Sequence, residues 1–456
     1  MSSDQQKACA LRTELQNITL REKEDEKPMT PEERIEKKKK ETKEAIAVLF
    51  IFVLILAAII SGLTFAVHKF VMPKLAERKN TEQLNTEDTG DAATDESEQN
   101  TVAEADPILE QAKALVSQMT LEQKAAQIFM ITPDALTGVT GATAAGETTK
   151  NSFQQYPVGG IIYMGANLQG TEQTTTMLAN MQGFSQEITG LPLFLGVDEE
   201  GGTVARIASN SAFGVTDVGN MSDIGATGDT QNAYNAGSTI SAYLNTLGFN
   251  VDFAPVADVW TNAENTSLQS RSFGSDSQLV ADMVCAKLQG LNEHQVTGVV
   301  KHFPGLGGTA GDTHDGTVST ESSLDDLMAN DLVPFRQAIA NGASMIMVSH
   351  LSAPSVTGDD TPSSLSYTMI TDVLRGQLGF NGVVITDAMN MGAVTSRYGS
   401  ADAAVAAVNA GADMILMPDN FKDAYQGVLD AVMNGTISQD RLDEAVTRIV
   451  KLKLTM

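Results

Sequence analysis

Residues 298–317 read GVVKHFPGLGGTAGDTHDGT, and the fold turns on how this stretch is read. A short β-branched run stays apolar, ends in Lys301 and His302, and then gives way to a loop crowded with glycine. Runs of this kind recur at AQIFMI (126–131), GGIIYM (159–164), PLFLGV (192–197), VDFAPV (251–256), GVVKHF (298–303), SMIMVS (344–349), GVVITD (382–387) and DMILMP (413–418). Helical stretches lie between them, among them 171–188, 233–247, 277–292, 332–340, 369–378 and 401–410. Apolar runs buried on both faces and each followed by helix predict a parallel sheet covered by helices. Eight is the number that closes a (β/α)8 barrel of the TIM type, so the fold class is α/β, with an open doubly wound sheet as the alternative.

Such barrels carry their chemistry at the C-terminal ends of the strands. The run ends here present Asp198, Asp258, Lys301 with His302, His350, Asp387 and Asp419. Any one of these is ordinary as a cap or loop acid; a ring of them predicts an active site. Only five histidines exist, and His302, His314 and His350 all follow the fifth or sixth run. In the loop of 301–317, Asp312 and His314 are two apart, a spacing that lets a carboxylate orient an imidazole as a general acid and base. The loop lacks the Gly-Lys-Ser/Thr ending of a phosphate loop. Asp387 closes an apolar run and is the nucleophile candidate for glycosyl transfer with retention, which needs a carboxylate on the sugar carbon and a proton donor for the departing oxygen.

Before the barrel the chain is in pieces. Residues 1–44 are dense in charge and poor in apolar residues, which predicts a disordered cytoplasmic leader. Residues 45–67 carry no charge and are long enough, at about 1.5 Å per residue, to cross a hydrocarbon core of roughly 30 Å. The span is read as an uncleaved signal anchor, against a buried helix or a cleaved signal peptide. Lys37, Lys38, Lys39, Lys40 and Lys43 precede it, so residues 106–456 are expected outside the cell on a single-pass membrane protein. Residues 68–105 read as an acidic flexible stalk. A net charge of −27 argues against nucleic acid as a partner. Cys9 and Cys285 flank the expected membrane, so no disulfide is expected.

With these residues in place, the chain from roughly 110 onward resembles the bacterial β-N-acetylglucosaminidases of glycoside hydrolase family 3. The resemblance rests on GVDEEGG (196–202), FAPVADV (253–259), RSFG (271–274), KHFPG (301–305), Asp-Thr-His (312–314) and VVITDAMNMGAV (383–394), in that order. It implies a single-domain barrel, a retaining mechanism, a carbohydrate substrate, and neither metal nor other cofactor. It implies Asp387 as nucleophile and His314, oriented by Asp312, as acid and base. Asp198, Arg206, Arg271, Lys301 and His302 would hold the terminal sugar, with His350 expected beside them. An internal salt bridge across the barrel mouth is the competing role for Lys301 and Arg271. Thr203 and Leu306 stand where the family often has a basic residue and a histidine, and the text around 315–322 also departs. The expected activity is exo-cleavage of terminal β-linked N-acetylglucosamine from peptidoglycan fragments or related glycans. A β-glucosidase or β-xylosidase, an inactive sugar-binding barrel, and transfer to phosphate instead of water are the alternatives.

Overall fold

The computed structural model of the chain describes residues 106–311, 313 and 316–456. The expected leader (1–44), membrane span (45–67) and stalk (68–105) lie outside the described residues, and so do Asp312 and His314. Among the described residues no helix is long and apolar enough to cross a membrane.

Eight strands form one parallel sheet: β1 (Phe129–Ile131), β2 (Gly160–Ile162), β3 (Phe194–Val197), β4 (Val251–Asp252), β5 (Thr297–Phe303), β6 (Met345–Val348), β7 (Val383–Thr386) and β8 (Ile415–Leu416). Their order is β7-β6-β5-β4-β3-β2-β1-β8. The two ends meet: Ile385 bridges Met414 in parallel, and the Thr386 N–H donates to the Met414 carbonyl at 3.0 Å. Strand neighbours in space are therefore strand neighbours in sequence, as the expected barrel requires.

Except for β5, the strands are shorter than their apolar runs. Ala126 and Gln127 belong to the helix Leu121–Gln127, not to β1. Thr120 accepts from the Gln123 N–H and Gln123 returns a bond to the Thr120 N–H, a capping box that starts a helix inside the run. β4 ends at Asp252, and pairing with β5 resumes beyond Pro255 as an isolated bridge of Val256 to Lys301. The expected helices appear at Thr171–Thr189, Thr230–Leu247, Ser277–Glu293, Val333–Ala340 and Ser400–Ala410. Thr368–Gln377 is wound more widely, as a π-helix, with the Leu378 N–H reaching back to the Val373 carbonyl.

The core lies inside the ring and between ring and helices. Met130 fills the interior because its neighbours are small: a Cβ on Gly196 would stand 2.5 Å from the Met130 methyl and 2.9 Å from the Phe253 ring. Between layers, edge-on aromatic pairs join strand to helix, Phe129 to Phe421 and Phe303 to Phe335, each at 5.4 Å between centroids. The ends of β3, β5 and β7 open onto one cavity, which Asp198, Lys301, His302 and Asp387 line.

Candidate active site

At the end of β3 the chain passes Asp198 and folds into a small hairpin, Glu199–Gly201 against Val204–Ala205. Gly202 turns it with φ +60, and Asn220 sits so close that a Cβ there would meet it at 2.3 Å. Successive side chains of an extended segment point to opposite sides, so the two neighbouring glutamates part company. Glu199 turns away from the cavity and accepts from the Ile207 N–H at 2.7 Å, the Ala208 N–H at 2.8 Å and the Tyr243 hydroxyl at 2.8 Å. Glu200 turns toward the barrel mouth.

There Glu200 is chelated. Arg271 donates to it from Nε at 2.7 Å and from a terminal nitrogen at 2.8 Å, and Lys301 from Nζ at 2.7 Å. Lys301 also donates to Asp198 at 2.9 Å. Burial opposes a charge on Glu200, but Lys301 and Arg271 outweigh it and hold the carboxyl far below its usual range. Burial likewise opposes the Lys301 ammonium, and Asp198 and Glu200 overcome it, leaving its pKa raised. Glu200, Lys301 and Arg271 stay ionised together.

His302, the neighbour of Lys301, donates from Nδ1 to Asp258 at 2.6 Å, and Asp258 also accepts the Leu306 N–H at 2.7 Å. That leaves Nε2 facing Arg271 at 3.4 Å. Asp258 thus orients the ring and anchors the start of the glycine-rich loop. The Thr261 and Asn262 N–H groups tie the same loop down at the Gly307 carbonyl, each at 3.1 Å.

Asp387 stands across a cavity of about 360 Å3 whose walls include Asp198, Glu200, Arg206, Arg271, Lys301, His302 and Asp387 itself. Its Oδ1 accepts the Ala388 N–H at 2.7 Å. Burial opposes ionisation of Asp387, yet the fields of His350 and His302 and the Ala388 bond prevail, and its pKa is lowered. A carboxylate so held is present as an anion and faces open space. Thr313 lines the cavity too, and its carbonyl accepts from the Ala393 N–H at 3.2 Å.

The expected residues do not all meet. His350 is fully buried and is not part of the cavity wall; its Nε2 lies 3.0 Å from the Ala388 carbonyl and its Nδ1 2.7 Å from the Ser364 hydroxyl. It supports the segment that carries Asp387. Asp419 lines a separate cavity of about 210 Å3 beside Met389 and Tyr398, because β8 ends three residues earlier. Arg206 lines the main cavity, and its Nε has no partner among the described residues. Arg271 and Lys301 do make the salt bridge that was the competing reading, and they line the cavity as well. Sequence reasoning missed Glu200; the doubled acid in GVDEEGG was its only signal, and nothing local says which glutamate turns inward.

The family model described as glycosyl hydrolase family 3 N terminal domain matches residues 120–452. Beta-hexosaminidase A of Pseudoalteromonas piscicida is 34% identical over 325 residues, covering 66% of this chain and 54% of that protein. Beta-hexosaminidase LpqI of Mycobacterium tuberculosis is 36% identical over 273 residues, covering 58% and 68%. A solved family 3 beta-N-acetylglucosaminidase from Paenibacillus sp. superposes with a TM-score of 0.69 at 37% identity, over 74% of this chain and 62% of that one. The chain thus spans about half the length of the Pseudoalteromonas relative.

Proposed function

The chain belongs to glycosyl hydrolase family 3, and from that premise we propose that it is a retaining exo-β-N-acetylglucosaminidase. The observation that carries the reading is the mouth of the barrel: an ionised Asp387 across one cavity from the Asp198–Lys301–Glu200–Arg271 cluster. Sugar hydroxyls are matched by such groups, since hydrogen bonds to charged partners are worth about 1.5–3 kcal/mol each. Hexosaminidases among the relatives support the choice of an N-acetylated sugar.

In this mechanism the Asp387 carboxylate attacks the anomeric carbon and forms a glycosyl ester as the glycosidic C–O bond breaks. His314, oriented by Asp312, gives its proton to the departing oxygen. Water then enters, His314 takes one of its protons, the oxygen bonds to the anomeric carbon, and Asp387 leaves as carboxylate. Asp198, Lys301, Arg271, Arg206 and His302 hold the terminal sugar, and His350 supports the segment bearing Asp387.

The membrane anchor and the extracellular position of the barrel are part of the same proposal. They rest on the uncharged run 45–67 and the lysines before it. A barrel held at the cell surface by a charged stalk is suited to peptidoglycan fragments and related amino-sugar glycans.

The test is digestion of chitooligosaccharides and defined muropeptides by the full chain, with mass detection of products and NMR of the first anomer formed. Release of single N-acetylglucosamine units as the β-anomer is expected. Internal cleavage, the α-anomer as first product, or no release would overturn the reading.

A further inference from the structure

Beneath the Glu200 carboxylate lie ionisable groups that the sugar chemistry does not use. Lys287, on the helix Ser277–Glu293, is fully buried. Its ammonium donates to the Glu200 carbonyl at 2.5 Å, and its only other contact of this kind among the described residues is the Met221 sulfur at 3.4 Å. Asp252, the last residue of β4, is also fully buried. Its Oδ1 accepts the Glu199 N–H at 2.9 Å, and its Oδ2 has no partner among the described residues. The main chain of the glutamate pair is therefore held twice, by its first N–H and by its second C=O.

Burying two charges without a direct contact between them is unfavourable unless each field supports the other. Burial pulls the Lys287 ammonium down, and the charges of Asp252 and Glu200 oppose this. Burial pushes the Asp252 carboxyl well up, and Lys287 opposes that. Glu199 and Lys301 are the other charges facing the couple. An apolar residue at 287 would fill the same space without a buried charge, so packing alone does not account for the lysine.

We propose that Lys287 and Asp252 are a positioning couple for the active site: they fix the Glu199–Glu200 backbone from below and thereby aim the Glu200 carboxylate at Arg271 and Lys301. The two cations keep their places only while the carboxylate between them does. A shift of the order of an ångström at such a hub weakens every contact it organises. This proposal rests on the reading of the cavity as a sugar site.

The experiment measures N-acetylglucosamine binding by calorimetry and steady-state hydrolysis of p-nitrophenyl N-acetylglucosaminide. The full chain is compared with Lys287→Met, Asp252→Asn and the double variant. Met keeps most of the volume of Lys without its charge, and Asn keeps the shape of Asp without the charge that supports Lys287. Each single variant is expected to unfold cooperatively, to raise Kd and KM about tenfold or more, and to change kcat by less than about threefold. The double variant should be no worse than Lys287→Met, because the pair acts as one unit. Binding and KM within twofold of wild type in a folded single variant would overturn the proposal, as would full additivity in the double. Should Lys287→Met fail to fold, Asp252→Asn alone decides by the same KM criterion. Absence of binding and turnover in the wild-type chain would instead reject the sugar reading.

Discussion

The barrel buries ionic clusters at both ends, and they are built differently. At the floor, Asp413 just before β8 is fully buried and takes Arg375 at 2.6 Å, Arg448 at 3.0 Å, Arg441 at 3.1 Å and the Val384 N–H at 3.0 Å. The same guanidiniums reach main-chain carbonyls, Arg375 to Gly411 and Arg441 to Ala412. That end staples helices to strand starts. At the mouth, Glu200 also sits between cations, but Lys301 and Arg271 line an open cavity. Lys301 has three N–H donors and spends two on Asp198 and Glu200, so among the described residues one remains. A charge cluster spent on its own scaffold stabilises; one that keeps donors in reserve can bind.

The sharpest way to break this comparison is at Asp387. The variant Asp387→Asn should lose turnover by a factor on the order of 10^4 while its unfolding stays at the wild-type temperature. Near-wild-type rates would remove the nucleophile from the mouth. The floor should answer in the opposite sense. Asp413→Asn leaves three guanidiniums short of a counter-charge and is expected to cost about 3–5 kcal/mol in urea unfolding, with KM of the folded fraction unchanged. A change in KM without a change in stability would erase the distinction between the two ends.

A smaller effect sharpens it further. Lys453, fully buried near the floor, donates to Gln127 at 2.9 Å and lies 5.1 Å from the Phe194 centroid. Burial alone pulls its pKa from 10.5 to about 7. Between those values the unfolded chain holds a proton that the native chain does not, so stability rises with pH there, by about 1.4 kcal/mol per pH unit at most. Below the native value this contribution is lost. Comparison of Lys453→Met with wild type across pH 7–10 should show that slope vanish and the variant gain stability near neutrality; an unchanged slope would place the proton elsewhere. At the mouth, by contrast, Lys301 has two carboxylate partners.

Much of the molecule was legible in residue order. The eight apolar runs, the helices between them and the rim residues Asp198, Lys301, His302 and Asp387 follow from local pattern, because burial and strand geometry act over a few residues at a time. Asp419 lies outside the main cavity for a local reason: where a strand stops decides what reaches the cavity, and β8 stops at Leu416. Ala126 and Gln127 were lost to a capping box that outweighed their apolar neighbours.

By itself the sequence determined the rhythm of the barrel and the chemical types at its rim, since both are set by short-range periodicity. Which charge meets which was decided only by tertiary structure. Arg271 lies 71 residues from Glu200, Lys301 lies 103 from Asp198, and Lys453 lies 326 from Gln127. Such pairs exist only once the ring has closed, and the exclusion of water that gives them their strength exists only then too.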